Sequence, residues 1–232
     1  AATATRLAQG AYPGNSMDQV KWVGTIGADY GVIAVAGDSD VVTLGELLEN
    51  LKNKPRKWVI GGGSAVGGWD HLKVLMAAKE YGISNVRKIK YVSFDGGGDA
   101  VTQLLAGNVQ IFTGDVSEIK GFVDAGDIKI IAVLSPDRLP GDFSKFYTAK
   151  EQGVNVVGAN WRGFYVPKGM SDDAYNFWAG AIKKMYDTPQ WKKTMAKNGL
   201  APLDLSGKAF EGFVANSVAS IQTISKQIGI IK

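Results

Sequence analysis

The feature that most limits how this chain can fold is an alternation that sets in at Val32: apolar run, glycine-rich break, amphipathic helix, repeated. Residues 30–35 (YGVIAV), 57–60 (KWVI), 88–94 (KIKYVSF), 109–112 and 128–134 (IKIIAVL) read as strands, being short, apolar and rich in β-branched side chains. Helices fill the intervals. Thr43 with Glu46 three residues on predicts a capping box, and Leu44, Leu47, Leu48 and Leu51 fall on one helical face. Trp69, Leu72, Leu75, Met76 and Tyr81 mark a second helix, Leu104 and Leu105 a third, and Ile119, Phe122 and Val123 a fourth that stops at Gly126. Strands separated by helices call for right-handed crossovers, and so for a mostly parallel, doubly wound α/β sheet. The loops at the carboxyl ends of such strands share one crevice, where ligands bind.

Three of those loops carry glycine: 61–68 (GGGSAVGG), 95–99 (DGGGD) and 113–115 (TGD). They draw on 30 glycines among 232 residues, nearly twice the roughly 7% of an average protein. A glycine turn before a helix lets the backbone approach a ligand and aims the helix's first N–H groups at it, an arrangement that favours an anion. The alternative for each loop is a tight turn with no ligand. Specific nucleotide and nucleophile motifs fail. Counting from Gly61, the last position of G-x-G-x-x-G is Val66; a P-loop would need Lys and Ser/Thr where Gly68 and Trp69 stand; G-x-S-x-G from Gly62 also ends on Val66. Ser64 reads either as a ligand donor or as a helix cap, Asp115 as a ligand partner or a cap, and Asp70, His71 and Asp99 as residues of helix starts.

Composition removes whole classes of chemistry. There is no cysteine and a single histidine, His71, so disulfides, thiolate or multi-histidine metal sites and a thiol nucleophile are excluded. The charge of +4 is spread along the chain rather than gathered, which argues against a nucleic-acid partner. No apolar run reaches the roughly 18 residues of a membrane span, and residues 1–10 contain no signal-peptide core. Beyond Pro136 the pattern changes to an irregular connection with Arg138-Leu139-Pro140, a strand-like run at 161–167 (WRGFYVP), and then helices. Ser171 caps one with Tyr175, Trp178, Ile182 and Met185 inward, Thr188-Pro189 opens the next, and 210–228 forms the last. Two lobes follow, the chain crossing near Tyr30 and Trp161: residues 1–35 with 163–232, and 36–162. At the second crossing Trp161 either lines the ligand site or belongs to a core. Arg162 either pairs with a ligand carboxylate or points into water.

Several segments resemble the extracytoplasmic solute receptors of tripartite tricarboxylate transporters, the Bug family. They are Thr43-x-x-Glu46-Leu47, the stretch 57–72, 91–110 (YVSFDGGGDAVTQLLAGNVQ), Gly126-x-Ile128-Lys129-x-x-Ala132-Val133, Arg138-Leu139-Pro140, Trp161-x-Gly163-x-x-Val166-Pro167 and the Gly199-Leu200 junction. The resemblance implies a two-lobed, type II periplasmic binding protein that is not an enzyme and uses no cofactor. It would take a small organic acid, a di- or tricarboxylate or a related compound, to integral membrane transporter subunits, working as a periplasmic monomer. By position it implies ligand contacts at Ser64, Ala65 and Gly67, at Gly96, Gly97 and Gly98, and at Thr113 and Asp115, to which the residue reading adds Trp161 and Arg162. The family's opening strand and Pro-x-Pro-x-Gly-Gly loop have no counterpart in residues 1–20, which reads as an N-terminally shortened chain. Two rival expectations stand beside this one: a hydrolase or transferase using Ser64 with His71, and a ligand-sensing module of the same fold.

Overall fold

The computed structural model describes residues 1–232, which divide into two compact units, Ala1–Asp29 with Asn160–Lys232, and Tyr30–Ala159. The elements in chain order are α1 (Ala2–Ala8), β1 (Val20–Ala36), α2 (Leu44–Asn53), β2 (Ile60–Gly62), α3 (Trp69–Glu80), β3 (Tyr91–Ser93), α4 (Gly97–Leu105), β4 (Ile111–Asp115), α5 (Val116–Ala125), β5 (Ile128–Val133), β6 (Ala159–Pro167), α6 (Asp172–Tyr186), α7 (Pro189–Lys197) and α8 (Gly207–Gln227).

In the second unit the strand order is β3-β2-β4-β1-β5. β2 pairs in parallel with β3 and β4, whereas β1 is antiparallel to both β4 and β5. The strands joined by the crossover helices α3, α4 and α5 therefore all point one way. The sheet is mixed because β1 inserts in the opposite sense between β4 and β5. Its residues Gly31–Ala36 pair there, so the strand read at 30–35 belongs to this unit and not, as expected, to the first lobe.

Local chemistry accounts for the boundaries. β2 begins at Ile60 rather than 57 and takes in Gly61 and Gly62, which the sequence reading treated as a break. Side chains there would press on Val109, Phe94, Tyr91 and Asp70, so glycine lets neighbouring elements close over the strand. β3 keeps only three residues, Tyr91–Ser93, and the expected strand's first residue, Lys88, belongs to a 3₁₀ turn over 86–88. At α2 the expected box forms by half: the Thr43 hydroxyl accepts the Glu46 amide at 3.2 Å, but the Glu46 carboxylate takes the Val42 amide instead. Leu44, Leu47, Leu48 and Leu51 are fully buried, as the stripe predicts. Gly126 ends α5 with φ +84°, the left-handed cap that glycine adopts without strain.

The first unit is held by an aromatic core. Trp22 of β1, Trp161 of β6 and Phe210 of α8 meet edge to face, with centroids 5.4–5.8 Å apart. Trp161 is thus a core residue. Thr25 ties β1 to the segment before α8, donating to the Leu203 carbonyl at 2.6 Å and accepting the Leu205 amide at 2.8 Å. Trp178, expected to face inward on α6, is half exposed; it packs edge-on to Phe177 at the surface. Arg138 lies on the surface as the turn residues suggest, its guanidinium on Glu151 at 2.8 Å.

Candidate functional site

Because β2 runs parallel to β3 and β4, the carboxyl ends of these strands lie at one edge of the sheet, and the three expected loops gather there. A Cβ built on Gly63 would stand 2.6 Å from both the carbonyl carbon of Gly96 and the nitrogen of Gly97. The first two loops therefore touch backbone to backbone. The third joins through Glu118, whose carboxylate lies against Gly97 and Gly114 and accepts the Asp115 amide at 2.8 Å. Gly97 has no left-handed φ; what keeps its position bare is the neighbouring carboxylate.

The first loop is wound tightly on itself. The Tyr91 hydroxyl donates to the Ser64 carbonyl at 2.7 Å, and the Gly68 amide donates to that of Ala65 at 2.7 Å. The Asp70 amide, in the first turn of α3, donates to Ser64 Oγ at 2.9 Å, while the N-cap of that helix is Gly68. Gly67, at φ +80°, donates its amide to His71 Nδ1 at 3.0 Å. His71, expected as a residue of the helix start, does lie in the first turn of α3. It is buried there, stacked on Tyr91 with ring centroids 4.4 Å apart. Ser64 Oγ and His71 Nδ1 each accept a backbone amide, and no hydrogen bond joins the two side chains as a serine–imidazole pair would require.

The second loop is the open one. Gly96 caps α4 in an extended conformation, and the amides of Gly97, Gly98 and Asp99 form its first turn, where no intrahelical acceptor exists. Nothing lies within 4 Å of where a side chain would start on Gly96 or Gly98. The third is closed. Thr113 is fully buried and donates to the Asp70 carbonyl at 3.1 Å, and Asp115 forms a complete capping box with Glu118. Asp115 also pairs at 2.7 Å with Lys73, a residue the sequence reading passed over.

Lys73 is wholly buried, and its ammonium also meets Asp70 at 2.9 Å and the Gly114 carbonyl at 2.7 Å. Burial works against that charge, but the carboxylates of Asp115 and Asp70 outweigh it and raise the pKa above the ordinary lysine value. Burial also pushes the Tyr91 hydroxyl up to about 12 and raises Glu118. Eight of the ten expected contacts thus lie in the second unit at one sheet edge; Trp161 and Arg162 lie in the first, where Arg162 approaches buried Asp29 at 3.7 Å. Asp29, like Lys73, was missed. A charged residue flanked by apolar ones carries no sequence signal that its partner is another buried charge.

Burial lowers the His71 pKa to about 4. The unfolded chain takes up this proton near pH 6.5, the folded one only near 4, so the contribution is complete above pH 6.5 and is lost as pH falls toward 4. At pH 5 the loss is about 2 kcal/mol. His71→Gln, which keeps an acceptor for the Gly67 amide, is expected to show a smaller drop in urea midpoint between pH 7 and pH 5 than the unchanged protein. Equal drops would contradict the buried neutral imidazole.

A family model described as the tripartite tricarboxylate transporter family receptor matches residues 10–230. A UPF0065 protein of Cupriavidus necator is 23% identical over 206 residues, 89% of this chain and 61% of its own length. The chain spans about three-fifths of the length of the curated relatives it matches. Among solved structures, the periplasmic binding protein BugD superposes with a TM-score of 0.81 at 21% identity, covering 99% of this chain and 77% of its own. An R. palustris protein solved with adipate gives 0.80 at 21% identity (91% and 69%), and MatC from Rhodopseudomonas palustris with bound malate 0.74 at 16% (100% and 76%). These likenesses give the chain the α/β fold of periplasmic binding proteins. No helix is long and apolar enough to cross a membrane.

Proposed function

Since the chain belongs to the tripartite tricarboxylate transporter receptor family, we propose that it is a periplasmic solute-binding protein, without catalysis, that captures a small organic carboxylate for a membrane transporter of that type. The observation that carries the reading is the first turn of α4, where the amides of Gly97, Gly98 and Asp99 have no intrahelical acceptor and where Gly98 and Asp99 are exposed beside a second glycine loop. Ser64, Ala65, Gly96, Gly97 and Gly98 are the proposed ligand contacts. Gly67, Thr113 and Asp115 hold those contacts in place through His71, Asp70 and Lys73. Relatives solved with adipate and with malate support an acid as the ligand class. The energetics agree: micromolar affinity is about 8 kcal/mol, and hydrogen bonds to a charged group contribute roughly 1.5–3 kcal/mol each, so four to six donors suffice without a salt bridge.

The test is a thermal-shift screen of mono-, di- and tricarboxylates, with adipate and malate included, beside sugars and divalent metals. An acid at about 100 times its Kd stabilises by about 2.7 kcal/mol, which for a chain of this size raises Tm by about 5–10 °C. At least one acid is expected to do so. Stabilisation by sugars or metals alone, or by nothing, would refute the reading.

A further inference from the structure

A lysine with no exposed surface is expensive: removing an ammonium from water costs several kcal/mol, which only well-placed partners offset. Lys73 has such partners for all three of its protons, and they come from separate parts of the candidate site. Asp70 Oδ1, at 2.9 Å, stands in the first turn of α3; Asp115 Oδ1 and the Gly114 carbonyl, each at 2.7 Å, stand at the end of β4. Each acceptor is in turn linked to a loop. The Asp70 amide holds Ser64 Oγ and the Asp70 carbonyl holds the Thr113 hydroxyl, while Asp115 shares its capping box with Glu118, whose carboxylate lies against Gly97.

The stem is placed as tightly as the head. A Cβ on Gly31 would come within 2.5 Å of Lys73 Cδ, and one on Gly158 within 3.1 Å. Gly31 lies in β1, by which the chain enters this unit, and Gly158 just before β6, by which it leaves; Gly31 N donates to Gly158 O at 2.8 Å, and two further hydrogen bonds tie the pair to the residue after β5, Gly158 N to Leu134 O at 2.8 Å and Leu134 N to Gly31 O at 2.7 Å. A leucine would fill the same space but leave two carboxylates and a carbonyl without their donor.

We propose that Lys73 is the positioning residue of the ligand loops: its ammonium fixes the start of α3 against the end of β4, and its stem braces that junction on Gly31 and Gly158. The inference rests on reading these loops as the ligand site, but it is tested without a ligand, so the two can fail separately. Hydrogen exchange of the whole protein is compared with that of Lys73→Met, which keeps the stem and removes the charge. Exchange in peptides covering 62–72 and 111–118 is expected to rise at least tenfold, while α2 and β5 stay within twofold. Unchanged loops, or an equal rise throughout the unit, would overturn the proposal, the latter because it marks general support of the fold. Should Lys73→Met fail to fold because two buried carboxylates have lost their ammonium, the variant Lys73→Met/Asp70→Asn/Asp115→Asn removes all three charges together. Folded with loosened loops, it supports the proposal; folded with loops as protected as before, or unfolded, it refutes it.

Discussion

Alanine at Gly63 is expected to abolish acid binding at ordinary ligand concentrations. Its methyl group would stand 2.6 Å from two backbone atoms of the neighbouring loop, where ordinary contacts run 3.4–4 Å, so the loops must part by nearly 1 Å. The obstacle is the Gly96–Gly97 peptide itself rather than a side chain that can rotate away. Hydrogen bonds weaken steeply once donor and acceptor separate beyond about 3.2 Å. Losing two charge-assisted bonds of roughly 1.5–3 kcal/mol each amounts to about 3–6 kcal/mol, or 10²–10⁴ in Kd. Calorimetric titration with the best acid from the screen checks this. An affinity within threefold of the unchanged protein would mean that the ligand does not use these loops.

The largest effect on stability is expected from Phe210→Ala. Phe210 is fully buried, meets Trp22 and Trp161 edge to face, and lies against Gly163 of β6. Truncating a buried phenylalanine costs about 3–5 kcal/mol in lost transfer energy and residual cavity. For a chain of this length that lowers Tm by roughly 10 °C. Calorimetry of both proteins decides it, and a shift below 3 °C would mean that the aromatic cluster relaxes to fill the space.

Much of this architecture is legible in the sequence because it depends on periodicity and punctuation. The leucine stripe of α2, the glycine stop of α5 and the caps at Ser171 and Thr188 are local signals, and each corresponds to the structure. The glycine loops were legible too, since a turn that must pass another backbone tolerates no side chain. What was not legible depends on partners distant in sequence. The reversed direction of β1 is set by its neighbours β4 and β5, far along the chain. Lys73 and His71 look like surface residues of a helix until Asp115 and Tyr91 are brought to them across the sheet edge. Trp161 was ambiguous for the same reason, its core being completed by Phe210.

β1 is a single strand of 17 residues, yet it serves two units: its first part is packed by β6 and α8, its last by β4 and β5. During synthesis these halves mature at different times. Everything the Tyr30–Ala159 unit needs has left the ribosome once that segment is out, and it can close on contacts of moderate sequence separation. The unit that contains Ala1–Asp29 must wait for Phe210 of α8, so residues such as Trp22 stay uncovered until that helix has emerged. The growing chain thus carries a finished α/β unit beside an orphaned apolar strand, the kind of edge that invites pairing with a neighbour. A permuted chain that begins at Asn160, runs through Lys232 into Ala1 and ends at Ala159 would reverse that order, emitting the aromatic core first.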